Sequence, residues 1–118
     1  MNIGFTKTFI AGGAVRARRL VKFDGSGEVV EATAAGDDII GVSDTPGDVS
    51  AGDRVDVIMG TQPEVVAGGP VAAGARVTAD AQARAVSAAA GNTVVGFAIE
   101  SADAAGDIIT VQYAPHQV

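Results

Sequence analysis

Histidine, cysteine and serine are the residue types most often used in nucleophilic catalysis, and none of them stands in a catalytic pattern here. The one histidine is His116, and cysteine is absent. The serines occupy turn-forming contexts without the G-x-S-x-G motif that exposes a nucleophile above a sheet. Spacing assigns no general base to any of them. The sequence therefore predicts a protein that is not an enzyme and that carries no cofactor.

Acidic residues could instead bind a metal ion, and they are densest at Asp37-Asp38 and around Asp44 and Asp48. A calcium loop requires oxygen ligands at alternating positions and a closing bidentate glutamate. Neither group supplies that spacing. We expect solvated carboxylates in turns at both places, and no metal site.

Arg16, Arg18 and Arg19 hold three of the eight cationic side chains. On a strand, Arg16 and Arg18 would share one face, while Arg19 would lie on the other face among apolar residues. An arginine on an apolar face requires an acidic partner or an edge position. Two interpretations remain open: a charged face that protects a sheet edge, and a salt-bridging patch for a protein partner. The net charge of −6 argues against nucleic acid as that partner.

The chain that must position these residues repeats itself. The first copy runs over about residues 15–57 and the second over about 71–111, and the matched positions keep nearly the same internal spacing. The matched sets are Val15, Val21, Asp24 and Val30 with Val71, Val77, Asp80 and Val86, then 39–42 with 94–97, then 51–57 with 105–111. Asp24 and Asp80 each begin a turn, where the carboxylate can accept backbone N–H groups. Their predicted role is architectural.

Short β-branched runs bounded by turns predict strands in both copies. The 16 glycines are spread along the chain, which is typical of many tight turns. Residues 83–90 are rich in alanine but align with 28–35, where Val29 and Val30 favour strand. The predicted strands are 15–23, 28–32, 38–43, 53–59, 71–79, 84–88, 93–100 and 107–113. The sequence therefore predicts an all-β domain, a small barrel or sandwich built from two similar halves.

Residues 1–13 lie outside the recognised repeat, 14–114 form the duplicated domain, and 115–118 form a short tail. Phe5 and Phe9 make the first segment apolar, so it is either a core strand or an arm that docks on a neighbouring molecule. Apolar residues make up 47% of the chain but aromatic residues only 4%. Such a core buries little area per residue, which favours association. No apolar run approaches the roughly 20 residues of a membrane span, and no secretory pattern precedes the domain.

Six short runs carry a resemblance to a known family. They are 72–80 (AAGARVTAD), 94–100 (VVGFAIE) and 105–111 (AGDIITV) in the second copy, with 18–22 (RRLVK), 40–43 (IGVS) and 51–53 (AGD) in the first. Together they resemble the tailed-phage capsid cement, or head decoration, family over about residues 10–114. These are signatures of turns and strands rather than of an active site.

The resemblance implies a β-barrel or a β-clip or β-tulip arrangement. It also implies a decoration protein on the exterior of an assembled phage head, made in the host cytoplasm and often a homotrimer. Its partner would be the major capsid protein, whose subunits it would bridge against internal pressure, with no membrane or nucleic-acid partner. No catalytic residue is carried over. The hypothesis for the partner contacts is Phe5 and Phe9 together with Arg16, Arg18 and Arg19.

Two other functions stay open at this point. One is a tail-tube or other structural virion subunit, for which hexameric rings would be typical. The other is a glycan- or ligand-binding β-domain on the head surface. Exposed aromatic platforms would favour the glycan-binding domain, and the chain has one tyrosine and no tryptophan.

Overall fold

The computed structural model describes residues 5–45, 47–60 and 62–117, and this part of the chain consists of ten strands and no helix. The strands are β1 Phe5–Ile10, β2 Leu20–Phe23, β3 Val29–Glu31, β4 Gly41–Ser43, β5 Arg54–Met59, β6 Glu64–Val66, β7 Arg76–Ala79, β8 Ala85–Ser87, β9 Thr93–Ala98 and β10 Ile108–Gln117. The predicted all-β class is confirmed. Every predicted strand overlaps an observed one, and the alanine-rich residues 85–87 are strand.

The ten strands form two five-stranded antiparallel sheets of the same topology. The first has the order β1-β5-β4-β2-β3, and the second has the order β6-β10-β9-β7-β8. The expected pair of similar halves is confirmed. The expected closed barrel is not observed, because both sheets are open. The edge strands β1 and β3 meet only through one parallel bridge between Ala11 and Val29, and Ala67 and Ala85 form the equivalent bridge. Strands of three residues are too short to close either sheet.

The structural repeat is longer than the sequence pattern indicated. Strand β1 holds the position in the first sheet that β6 holds in the second. The backbone bonds after these strands also correspond: Gly52 N–H donates to Ala11 O at 2.8 Å, and Gly106 N–H donates to Ala67 O at 2.9 Å. The repeat therefore includes residues 5–13, of which 5–10 form a strand that pairs with β5. At the other end β10 continues into the predicted tail, and His116 lies in that strand opposite Val94.

The apolar core has two parts of unequal composition. The smaller part belongs to the first half alone and contains Ala11, Val15, Val21, Val29, Val55 and Val57. The larger part joins Leu20, Ala32, Ile39 and Val42 of the first half to the buried side chains of the second half. The two halves consequently share a core.

Candidate partner-binding surface

The predicted arginine cluster lies in a turn at the seam between the two halves, not on a strand. Strand β2 begins only at Leu20, so residues 16–19 do not alternate between two sheet faces as expected. Two backbone bonds join this segment to the second half: Leu20 N–H donates to Ala83 O at 2.9 Å, and Val66 N–H donates to Arg18 O at 3.0 Å. The position of each guanidinium group follows from this seam.

Arg16 is held mainly by Glu31 of its own half, and its Nη2 also donates to Gln82 O of the second half at 3.3 Å. Its Nε and Nη2 donate to the two carboxylate oxygens of Glu31 at 3.0 and 2.8 Å, and its backbone N–H donates to the same carboxylate at 2.7 Å. The hydrogen bond to Glu31 raises the pKa of Arg16. Burial alone would raise the pKa of Glu31, but the bonds from Arg16 hold it below its usual value. The pair fixes the start of the seam.

Arg19 reaches across the seam into the second half. Its Nη1 donates to Gln82 O at 2.9 Å, whereas its buried Nε has no hydrogen-bond partner among the described residues. Burial lowers the pKa of the Arg19 guanidinium, and the positive charge of Arg16 lowers it further. The acidic partner expected for this arginine is replaced by a backbone carbonyl. Arg19 therefore supports the packing of the two halves.

Arg18 differs from both neighbours, because its side chain is 46% exposed. Its Nε lies 3.6 Å from Glu64 Oε1, which is an ion pair too long for a hydrogen bond. Its backbone has a φ of 56°, in the left-handed region. Of the three arginines, Arg18 is the one whose guanidinium extends outward with least constraint.

The two phenylalanines of the predicted arm lie on strand β1. Phe9 is half-buried against the core of the first half, and its ring meets that of Phe23 edge to face, with centroids 5.5 Å apart. Phe5 is paired through its backbone with Met59 on β5, and its side chain lies outside the described part of the structure. Phe9 thus has a packing role within the chain. A role for either residue in partner binding stays a prediction.

Sequence reasoning missed an exposed apolar surface on the second sheet, which we call the isoleucine surface: Val66, Ile99 and Ile108. Ile99 is 44% exposed and Ile108 is 49% exposed. Val66 on β6 lies opposite Ile108 on β10. Ile99 follows β9, and its N–H donates to Thr110 O beside them. Ile108 and Thr110 share this face of β10, with Val66 opposite Ile108 and Ile99 opposite Thr110, so the three apolar residues and Thr110 form one strip.

The first half carries polar residues where the second half carries these isoleucines. In the first sheet Arg54 lies opposite Ile10, and in the second sheet Ile108 lies opposite Val66. Arg54 therefore corresponds to Ile108. Asp44 N–H donates to Asp56 O as Ile99 N–H donates to Thr110 O, so Asp44 corresponds to Ile99. Comparing the two copies for positions where a charge becomes an isoleucine would have found the surface from sequence.

Asp24 and Asp80 serve turns, as expected. Asp24 Oδ1 accepts Ser26 N–H at 2.8 Å, and Asp80 Oδ1 accepts Gln82 N–H at 2.9 Å, which confirms their architectural role. Within the described residues there is no group of three or more side chains that could hold a metal ion. The same residues include no helix long and apolar enough to cross a membrane.

Comparison with known proteins is consistent with a structural role. A family model described as phage cement protein matches residues 2–113, nearly the whole chain. The chain belongs to the phage cement protein family. The predicted resemblance is thereby confirmed, and this family is a class of structural phage proteins rather than of enzymes.

A solved structure supports the same assignment. The chain is similar to the N base of head fiber gp8.5 of bacteriophage phi29, with 26% sequence identity and a TM-score of 0.72. The similarity covers 97% of each chain, so it includes both halves of this cement-family domain. No curated protein sequence matches the chain. These findings give the chain a structural role in a phage head.

Proposed function

We propose that this cement-family chain is a capsid decoration protein that binds the exterior of an assembled phage head. Its bound copies would bridge neighbouring major capsid subunits and so hold the shell against internal pressure. The observation that carries the proposal is the family match over residues 2–113, because it spans all ten strands apart from the end of β10. The similarity to the base of a head fiber supports a position on the head surface. Attachment of many copies to a regular shell gives avidity, so one weak site per copy is sufficient.

Self-association, as a homotrimer, is part of this proposal. The two halves meet through non-equivalent surfaces. Leu20 N–H of the first half donates to Ala83 O of the second half, and not to Arg76, which is the second-half equivalent of Leu20. The equivalent groups, Arg76 N–H and Gly27 O, make no such bond within the described residues. A contact of this head-to-tail kind between copies can close into a ring. Three two-half chains would then form a ring of six similar units.

Co-sedimentation with purified heads tests the proposal. We expect the chain to pellet with heads, at a copy number that approaches that of the major capsid protein. We also expect heads that carry it to retain their DNA at higher temperature than undecorated heads. Sizing chromatography with light scattering should give trimers or monomers. Failure to pellet with heads, or pelleting at a few copies per particle, would contradict the decoration role. Hexameric rings would indicate a tail-tube subunit instead.

A further inference from the structure

Both copies of the repeat make the same turn, but with different residues at its left-handed position. Arg18 N–H donates to Ser43 O at 3.0 Å in the first half, and Gly74 N–H donates to Ala98 O at 2.7 Å in the second. Arg18 has a φ of 56°, and Gly74 has a φ of 87°. Glycine adopts this conformation freely, whereas a residue with a Cβ is strained in it. The first half therefore keeps an arginine where glycine would suit the backbone better.

Ala83 is the other described non-glycine residue with a positive φ, and its position in the fold shows what can offset the backbone strain. Ala83 has a φ of 61°, at the position where the first half has Gly27 with a φ of 91°. The Ala83 side chain is fully buried in the shared core, so its methyl group gains contacts that glycine would lose. Arg18 has no equivalent compensation, because its side chain is 46% exposed and its ion pair with Glu64 spans 3.6 Å. A contact between Arg18 and another molecule would supply the stabilisation that its contacts within the chain do not.

Arg18 also borders the isoleucine surface. Its carbonyl oxygen accepts the N–H of Val66, and Val66 lies opposite Ile108. Arginine is one of the residues that most often dominate protein interfaces, and exposed apolar side chains beside it supply area that a contact can bury. The head-to-tail surfaces proposed above for self-association contain neither Ile99 nor Ile108. The isoleucine surface is therefore available for a different partner.

We propose that Arg18 and the isoleucine surface together form the contact with the major capsid protein. The isoleucines pack on apolar side chains of the shell, and the Arg18 guanidinium exchanges its long contact with Glu64 for a carboxylate of the shell. A guanidinium group binds a carboxylate through two parallel hydrogen bonds, which also fixes the orientation of the bound chain. This inference rests on the proposed decoration function.

Arg18→Gly is the decisive variant, because it removes the guanidinium and the backbone strain together. We expect head binding to weaken about tenfold or more while the melting temperature stays equal or rises. Binding of the variant should also depend less steeply on salt, since one ion pair is lost. Arg54→Ala is the matched control: it removes an exposed arginine from β5 of the first half, and its binding should equal that of the wild type.

The apolar part of the contact is tested by residues that the first half already carries. Ile99→Asp and Ile108→Arg install the side-chain types of Asp44 and Arg54 at the equivalent places, so the fold should tolerate them. Each should weaken head binding about tenfold or more. If the wild type binds heads and these variants bind as well as Arg54→Ala, the inference is overturned and the decoration role stands. If Arg18→Gly weakens binding without changing its salt dependence, the assigned carboxylate contact is wrong. A wild type that does not bind heads contradicts the proposed function itself.

Discussion

Single residues that recur in both copies do so for backbone geometry. Gly41 on β4 and Gly96 on β9 occupy equivalent places, where each strand lies close to the backbone of its neighbour. A Cβ on Gly41 would collide with the carbonyl oxygen of Ile58, and a Cβ on Gly96 would collide with that of Gln112. Both collisions involve main-chain atoms, which cannot rotate away. The repeated glycine is thus explained by sheet packing rather than by a ligand.

Replacing Gly41 by alanine should destabilise the protein strongly. Relieving the clash requires a shift of β5, and overpacking of this kind costs about 1–3 kcal/mol in the free energy of unfolding. Urea denaturation followed by circular dichroism measures the change. Gly69→Ala is the matched control, because no atom lies within 4 Å of its added Cβ. Equal stability of the two variants would show that β4 and β5 are not packed as described.

The arginines illustrate which contacts a sequence can and cannot predict. Arg16 and Arg19 were candidates for a partner surface because three cationic side chains stand so close together. Their partners are Glu31 and the Gln82 carbonyl, and the Gln82 carbonyl belongs to the other half of the molecule. Charge spacing carries no information about how two halves pack. The strain at Arg18 was equally hidden, since only the backbone angle reveals it.

At the scale of elements, sequence patterns predicted eight of the ten described strands, missed β6 and left β1 open. Strand β6 has three residues, of which Val65 is the fully buried one, so no alternation is visible. In strand β1, Lys7 lies opposite Val57 and on the same face as Phe9. This charged residue interrupts the apolar alternation, so the sequence allowed both a strand and an arm. Both β1 and β6 are edge strands, but the opposite edge strands β3 and β8 were predicted, so a position at the edge does not by itself hide a strand.

Deleting residues 2–9 should destabilise the fold as well as change any binding. The deletion removes the pairing of β1 with β5 and the contact of Phe9 with Phe23. It also leaves β5 as an open edge, which promotes pairing between molecules. We expect a lower melting temperature and larger particles in light scattering. Thr8→Ala, which removes only an exposed hydrogen bond to Asp56, should have a small effect. A soluble truncated protein of unchanged melting temperature would instead indicate a separable arm.

At the scale of the whole molecule, the two copies had to diverge where they meet. Leu20 lies in the shared core, while its counterpart Arg76 is exposed. Buried Ala83 likewise corresponds to exposed Gly27. The repeat predicted two similar halves, but similarity alone does not reveal which surface of each half is turned inward. Equivalent positions with different residues, such as Leu20 and Arg76, show which surface of each half is buried. They can be interpreted only once the packing is known.

The shared core predicts that both halves unfold together. Leu20→Ala removes a buried side chain of the first half that packs in the core of the second, so it should cost about 2–5 kcal/mol. Amide hydrogen exchange measures the effect strand by strand, and protection should fall by the same factor in β2 and in β10. Val55→Ala is the control within the core of the first half, and it should also lower protection in both sheets if unfolding is cooperative. Loss of protection confined to the first sheet in either variant would mean that the halves fold independently. That outcome would leave the seam at Arg19 and Gln82 as a docking contact rather than part of one core.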